Sequence, residues 1–97
     1  MTTAAEGLQM ARDLLVRKGW TQGAFYRGGK HCAVGALPEN SAGAMDYLIR
    51  ASVALYPERT RPSSCPIVSL NDHPKTKLND VLAVFDYAIV RAKEDDA

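Results

Sequence analysis

Lys77-Leu78-Asn79-Asp80-Val81-Leu82-Ala83-Val84-Phe85-Asp86-Tyr87-Ala88-Ile89-Val90-Arg91-Ala92-Lys93 is the stretch whose reading decides the fold. Leu78, Val81, Leu82, Phe85, Ala88, Ile89 and Ala92 recur at three- and four-residue intervals and mark one helical face. Ala83, Val84, Tyr87 and Val90 cover much of the remaining circumference, and Asp86 is the only charged residue between Val81 and Val90. A helix apolar nearly all round has to be covered from several sides. The pattern therefore predicts either the central helix of a bundle or a subunit contact, and the two differ at Val84, Tyr87 and Val90, the candidate interface. The β-branched content keeps a strand as the alternative, but length and Thr76 as an expected cap favour a helix over about 77–93. Glu94, Asp95 and Asp96 sit against the negative end of the helix dipole, so 94–97 is expected to form a frayed acidic tail.

The elements that cover this helix are sought upstream. Thr3 and Glu6 have the spacing of a capping box. Leu8, Ala11, Leu14 and Leu15 follow at helical intervals, and Gly19 stands where a helix-terminating residue is wanted. These signals predict a helix over 4–18, with Trp20 folded back as a core anchor. Phe25-Tyr26-Arg27-Gly28-Gly29-Lys30 reads as an aromatic segment entering a glycine turn, giving a short hairpin within 24–31. Cys32-Ala33-Val34-Gly35-Ala36-Leu37 is small and apolar before Pro38; a short helix is favoured over a buried strand, which periodicity does not separate at this length. Asn40 or Ser41 can cap a helix over 42–56, whose stripe is Ala44, Leu48, Ala51, Ser52 and Leu55, ended by Pro57. Residues 57–66 read as a loop. Ile67-Val68-Ser69-Leu70 is a short apolar element, and Asn71-Asp72-His73-Pro74 is a turn signal. The expected fold is mainly α: a small bundle of three main helices at about 4–18, 42–56 and 77–93, a short helix or strand at 32–37, and the hairpin.

Composition bounds the function. Ninety-seven residues with 46% apolar and 24% charged side chains suit one domain, 1–97, and argue against wholesale disorder. The net charge of +1 argues against a strongly basic nucleic-acid binder. Residues 1–37 carry five basic and two acidic side chains, as do 50–77, whereas 78–97 carry two and five. Two cysteines, Cys32 and Cys65, make no disulfide framework. No apolar run nears the roughly 20 residues that cross a bilayer, and the first residues lack the features of a signal peptide. A reducing cytoplasm is the expected location, with no membrane association.

Three segments together carry a resemblance. Gly19-Trp20-Thr21-Gln22-Gly23, Cys32-Ala33-Val34-Gly35-Ala36-Leu37 and Asn71-Asp72 ahead of a helix resemble a family of short proteins from actinobacteria and their phages, a domain of unknown function. The likeness spans roughly 8–92. Where the family pattern has a Trp before the Asn-Asp pair, this chain has Leu70. The resemblance implies a small helical fold of bacterial or phage origin, and no activity.

Each candidate chemistry has a plainer competitor. Cys32 with His31, Asp72 and His73 is the only set that resembles a nucleophile with its base, since a thiolate at a helix start is favoured and a histidine can take its proton. The competing reading is an inert buried thiol and a turn-capping Asp72. Metal binding would need His31, Cys32, Cys65 and His73 to converge from separations that fit no zinc pattern; no metal and no cofactor is expected. Gly28-Gly29-Lys30 fails as a phosphate loop because Ala24 and His31 stand where Gly and Ser or Thr are required. Arg50, Arg59, Arg61, Lys75 and Lys77, near Tyr56, form a candidate basic patch for nucleic acid or an acidic partner, against a solvated face. The favoured function is a non-enzymatic interaction protein that binds a host protein or itself as a homodimer. A cysteine-dependent hydrolase or transferase is the first alternative, and a nucleic-acid-binding module, the less favoured partner class, is the second.

Overall fold

The computed structural model describes residues 2–41, 43–61 and 65–97. Helix α1, Ala4–Lys18, begins with the predicted capping box: Glu6 N–H donates to Thr3 Oγ1 and Thr3 N–H donates to Glu6 Oε1, each at 3.1 Å. It ends where Gly19 takes φ 103°, a backbone conformation that side chains disfavour. Strands β1, Tyr26–Arg27, and β2, Lys30–His31, pair antiparallel in the register Tyr26 to His31 and Arg27 to Lys30. Gly28 and Gly29 join them, both with positive φ (57° and 84°), as a two-residue turn matched to strand twist demands. Helix α2, Ala44–Leu55, is followed by a 3₁₀ turn at Pro57–Arg59, then α3, Pro66–Asp72, and α4, Leu78–Glu94.

Helix α4 is the centre. Val81, Val84, Phe85, Ala88, Ile89 and Ala92 are buried along it, and α1 and α2 pack against it. Leu8, Ala11 and Leu15 of α1 and Leu48 and Ala51 of α2 close over these residues, with Ile67 and Leu70 of α3 completing one continuous apolar cluster. Alanines at 11, 51, 88 and 92 and the Phe85 ring are all fully buried in this cluster. Burying a ring of that size is worth about 2–3 kcal/mol. Where α1 and α4 meet at the surface, Arg12 grips Asp86 through two bonds, Nε to Oδ1 at 2.6 Å and Nη2 to Oδ2 at 3.2 Å.

Several local expectations are corrected. Residues 32–37 are neither helix nor strand; they form consecutive turns in which Ala36 N–H donates to the Cys32 carbonyl and Leu37 N–H to that of Val34. Pro38 leaves no length for a further helical turn. Helix α2 starts at Ala44, not 42, behind Gly43 in the left-handed conformation (φ 77°), and no side chain caps it. Ser41 Oγ donates instead to the Pro38 carbonyl; Ala42 lies outside the described residues. The stretch 67–72, expected as an apolar element running into a turn, is a helix: Pro66 supplies a preset φ at its first position, and Asn71-Asp72 is its last turn. Thr76 does not cap α4. It is buried, while Asp80 Oδ2 accepts from the Lys77 N–H at 3.0 Å to close the helix start. Apart from these corrections, at the acidic end Tyr47 Oη donates to Asp95 Oδ2, Ala97 N–H to the Ala92 carbonyl, and Ala5 N–H to the Ala97 carbonyl.

Candidate functional site

The polar centre of the molecule is one residue, Asn71, only 2% exposed at the end of α3. Its Oδ1 accepts from Trp20 Nε1 at 2.7 Å and from the Ala33 N–H at 2.9 Å. Its Nδ2 donates to the Thr21 carbonyl at 3.2 Å and to Asp72 Oδ1 at 3.0 Å. A carboxamide has two acceptor and two donor positions, and all four are used. Gln22 Nε2 reinforces the joint by donating to the carbonyls of Asn71 and His73, and Gly23 N–H donates to Asp72 Oδ1. The chain after α1, the 32–37 turn and the end of α3 are thereby tied at one point. Buried polar groups satisfied in this way fix a geometry, because any displacement orphans several at once.

This joint carries the hairpin. Cys32 N–H donates to the Phe25 carbonyl at 3.0 Å, and Gly35 lies so close to that carbonyl that a Cβ at 35 would overlap it. His31 N–H donates to the Gly19 carbonyl and Thr21 N–H to that of His31, joining β2 to the end of α1. Phe25 and Tyr26 are left in water, 64% and 62% exposed. The Tyr26 ring is braced by His31, with centroids 5.0 Å apart and planes at 64°. Beside the hairpin opens a cleft of about 230 Å³ lined by Gly23, Ala24, Phe25, Cys32, Val34, Val68, Asn71 and Asp72. Its walls are mostly apolar, with the Asp72 carboxylate among them.

The residues singled out in the sequence are distributed unevenly. Cys32 and Asp72 line the same cleft, but His73 lines the adjoining groove with Arg61, Val68, Ser69, Asp72 and Pro74. Cys32 is buried and its Sγ accepts from the Gly35 N–H at 3.1 Å. His73 Nδ1 accepts from the Lys75 N–H. Of the candidate basic patch, Arg59 is paired with Asp80 at 3.1 Å and stacked on Tyr56 at 4.7 Å. Arg50 lies in a different groove, with Tyr47, Tyr87, Arg91, Glu94 and Asp95, stacked on Tyr47. Arg61, Lys75 and Lys77 are exposed. Of the candidate interface, Val84 is sealed in the core, Tyr87 is half-buried, and Val90 is 56% exposed.

The perturbed ionisations lie away from the cleft. The Lys77 N–H, and then Arg59, hold the Asp80 carboxyl below its ordinary value. Burial, with Asp80 beside it, pushes the Tyr56 hydroxyl up, and the bond to Asp95 does the same for Tyr47. These are structural ties between elements.

Asn71 as a hub was not visible in the sequence, and neither were Gln22 and Gly23 as its braces. The signal that could have found them was the resemblance itself, since its three segments are the three that meet here. What the fold and the joint define is a small helical protein organised around a buried asparagine, with a presented hairpin. The chain belongs to the family of unknown function DUF6197, whose model matches residues 1–91. No curated protein and no solved structure is significantly similar to it.

Proposed function

We propose that this chain is a small non-enzymatic interaction protein whose hairpin face meets another macromolecule. The observation that carries the reading is the exposure of two adjacent rings, Phe25 and Tyr26, on a hairpin whose supports are fully bonded. Aromatic side chains held in water by a rigid base are what partner surfaces use as anchors, because little freedom is lost when they are covered. The adjoining cleft offers such a partner a concave place to seat an apolar group. A protein of this kind, encoded by an actinobacterium or one of its phages, would meet its partner in the bacterial cytoplasm, where Cys32 and Cys65 stay reduced. Self-association through the same face is the homodimeric form of the reading, and light scattering separates the two.

The test is capture from an actinobacterial lysate with the wild-type chain and with Phe25→Ala/Tyr26→Ala. The double variant is expected to lose what the wild type retains while keeping the same helical circular dichroism. Equal capture by both chains would remove this face from the reading.

The second reading is a cysteine-dependent hydrolase or transferase using Cys32 with a histidine: Cys32 and Asp72 share the cleft, while His73 lines the adjoining groove. The interaction reading expects Cys32 in the folded protein to react with iodoacetamide more slowly than the half-buried Cys65 at neutral pH. Labelling of Cys32 faster than a model thiol would decide for the enzyme.

A further inference from the structure

Residues 14–38 contain four cationic side chains, Arg17, Lys18, Arg27 and Lys30, and no carboxylate. The remaining residues carry eight cations against eleven acids, so the near-neutral total conceals one positive end. The fold gathers the four. Arg17 and Lys18 are exposed in the last turn of α1. The Lys30 methylenes rest 3.0–3.4 Å from where a Cβ on Gly19 would stand, and the backbone bonds between Gly19, Thr21 and His31 stitch the hairpin to that helix end. Arg27 stands directly opposite Lys30 across the hairpin. Like charges opposed in this way repel, and among the described residues none of the four pairs with a carboxylate, whereas Arg12, Arg59 and Arg91 each do. Asp72 borders the region through Gly23, with Oδ1 already taken by two donors. Phe25 and Tyr26 project from this same segment.

We propose that this end of the molecule binds single-stranded nucleic acid, with Phe25 and Tyr26 stacking on bases and the four cations meeting phosphates. The inference rests on the interaction reading above and supplies its partner class. A single strand alternates flat π-faces with negative charges, and surfaces that hold it without sequence preference combine exposed rings with unpaired cations. An anionic membrane would answer the charge, but insertion needs apolar side chains at the leading point. Here the leading point is Gly28-Gly29, which has no side chain, and the rings sit at the base. The patch anticipated around Arg59 is a different one, and its central arginine is already neutralised by Asp80.

The experiment titrates the full chain against a fluorescein-labelled 15-nucleotide oligo(dT), read by anisotropy over a series of salt concentrations. If all four cations engage phosphates, the logarithm of affinity should fall with log salt at a slope near −3, about 0.7 per phosphate. Arg27→Gln/Lys30→Gln should roughly halve that slope. Phe25→Ala/Tyr26→Ala should weaken binding at least tenfold at an unchanged slope, since each stacked base contributes a factor of that order. All four positions are exposed, and circular dichroism confirms that the variants fold. No anisotropy change at low salt overturns the proposal, as does equal affinity in the double-alanine variant. So does binding to phosphatidylserine vesicles in place of the oligonucleotide, which would assign the surface to membranes. If oligo(dT) fails but the double-alanine variant still loses lysate capture, the nucleic-acid assignment falls and the interaction reading stands. If capture is also unaffected, both fall.

Discussion

Asn71 Nδ2 donates to the Thr21 carbonyl and to Asp72 Oδ1, and this direction makes the residue testable. In Asn71→Asp an oxygen replaces the amide nitrogen and faces two acceptors, with almost no change in volume. Asn71→Ala instead leaves Trp20 Nε1 and the Ala33 N–H without their acceptor. Each buried group left unpaired costs about 1–3 kcal/mol, so both variants are expected to lose roughly 2–4 kcal/mol in urea unfolding. A loss under about 1 kcal/mol in both would show that the joint does not hold the fold. The sequence carried the right chemistry at this position and the wrong range. Asn-Asp before His-Pro is a local turn signal, and Asn71 does bond backbone groups, but those groups belong to Thr21 and Ala33, tens of residues away. Short-range pattern contains no trace of such partners.

At the level of elements, α4 is buried along one side and open along another: Val84 is sealed in the core while Val90 is exposed. Val84→Asp puts an unpaired charge into the buried core and is expected to abolish cooperative folding at 25 °C. Val90→Asp changes an exposed position and is expected to stay within about 0.5 kcal/mol of wild type. Thermal melts of both variants check the pair; equal effects would contradict a central α4. Helices α1, α2 and α4 were legible because each runs at least three turns, enough for a period to show. The hairpin was legible because Gly28-Gly29 permits a tight turn that few other pairs allow. Helix α3 was hidden by its seven residues, too few for a period, and by a helix end that looks like a turn. Residues 32–37 were undecidable locally for another reason: Phe25 and Asn71 hold their first two N–H groups from outside.

For the whole molecule, acid sensitivity follows from Glu6 and Asp80. The Thr3 N–H and hydroxyl hold the Glu6 carboxyl below its usual 4.5, and the Lys77 N–H with Arg59 holds Asp80 below 3.8. As pH falls, the unfolded chain takes up protons at these sites before the folded one does. Their stabilisation is therefore complete above about pH 5 and is lost as pH drops through the folded values. The melting temperature is expected to be flat from about pH 7 to 5 and to fall below about pH 4.5. Asp80→Asn should be less stable at pH 7 and show a shallower acid limb. A parallel limb would mean that Asp80 contributes nothing to it. The segmental split of charge was legible, basic over 1–37 and 50–77 and acidic over 78–97; the gathering of Arg17, Lys18, Arg27 and Lys30 at one end needed the fold, since only there does the end of α1 lie beside the hairpin.

Trp20 is the single indole in the chain, and its N–H ends on Asn71 Oδ1. The protein thus carries its own optical reporter at its central polar contact. Tryptophan emission follows the environment of the 20–33–71 region, while far-ultraviolet ellipticity follows the four helices. Coincident denaturation curves from the two would mean that the region and the bundle come apart as one cooperative unit. An emission change at lower denaturant would reveal a state in which the hairpin has let go of an otherwise intact bundle.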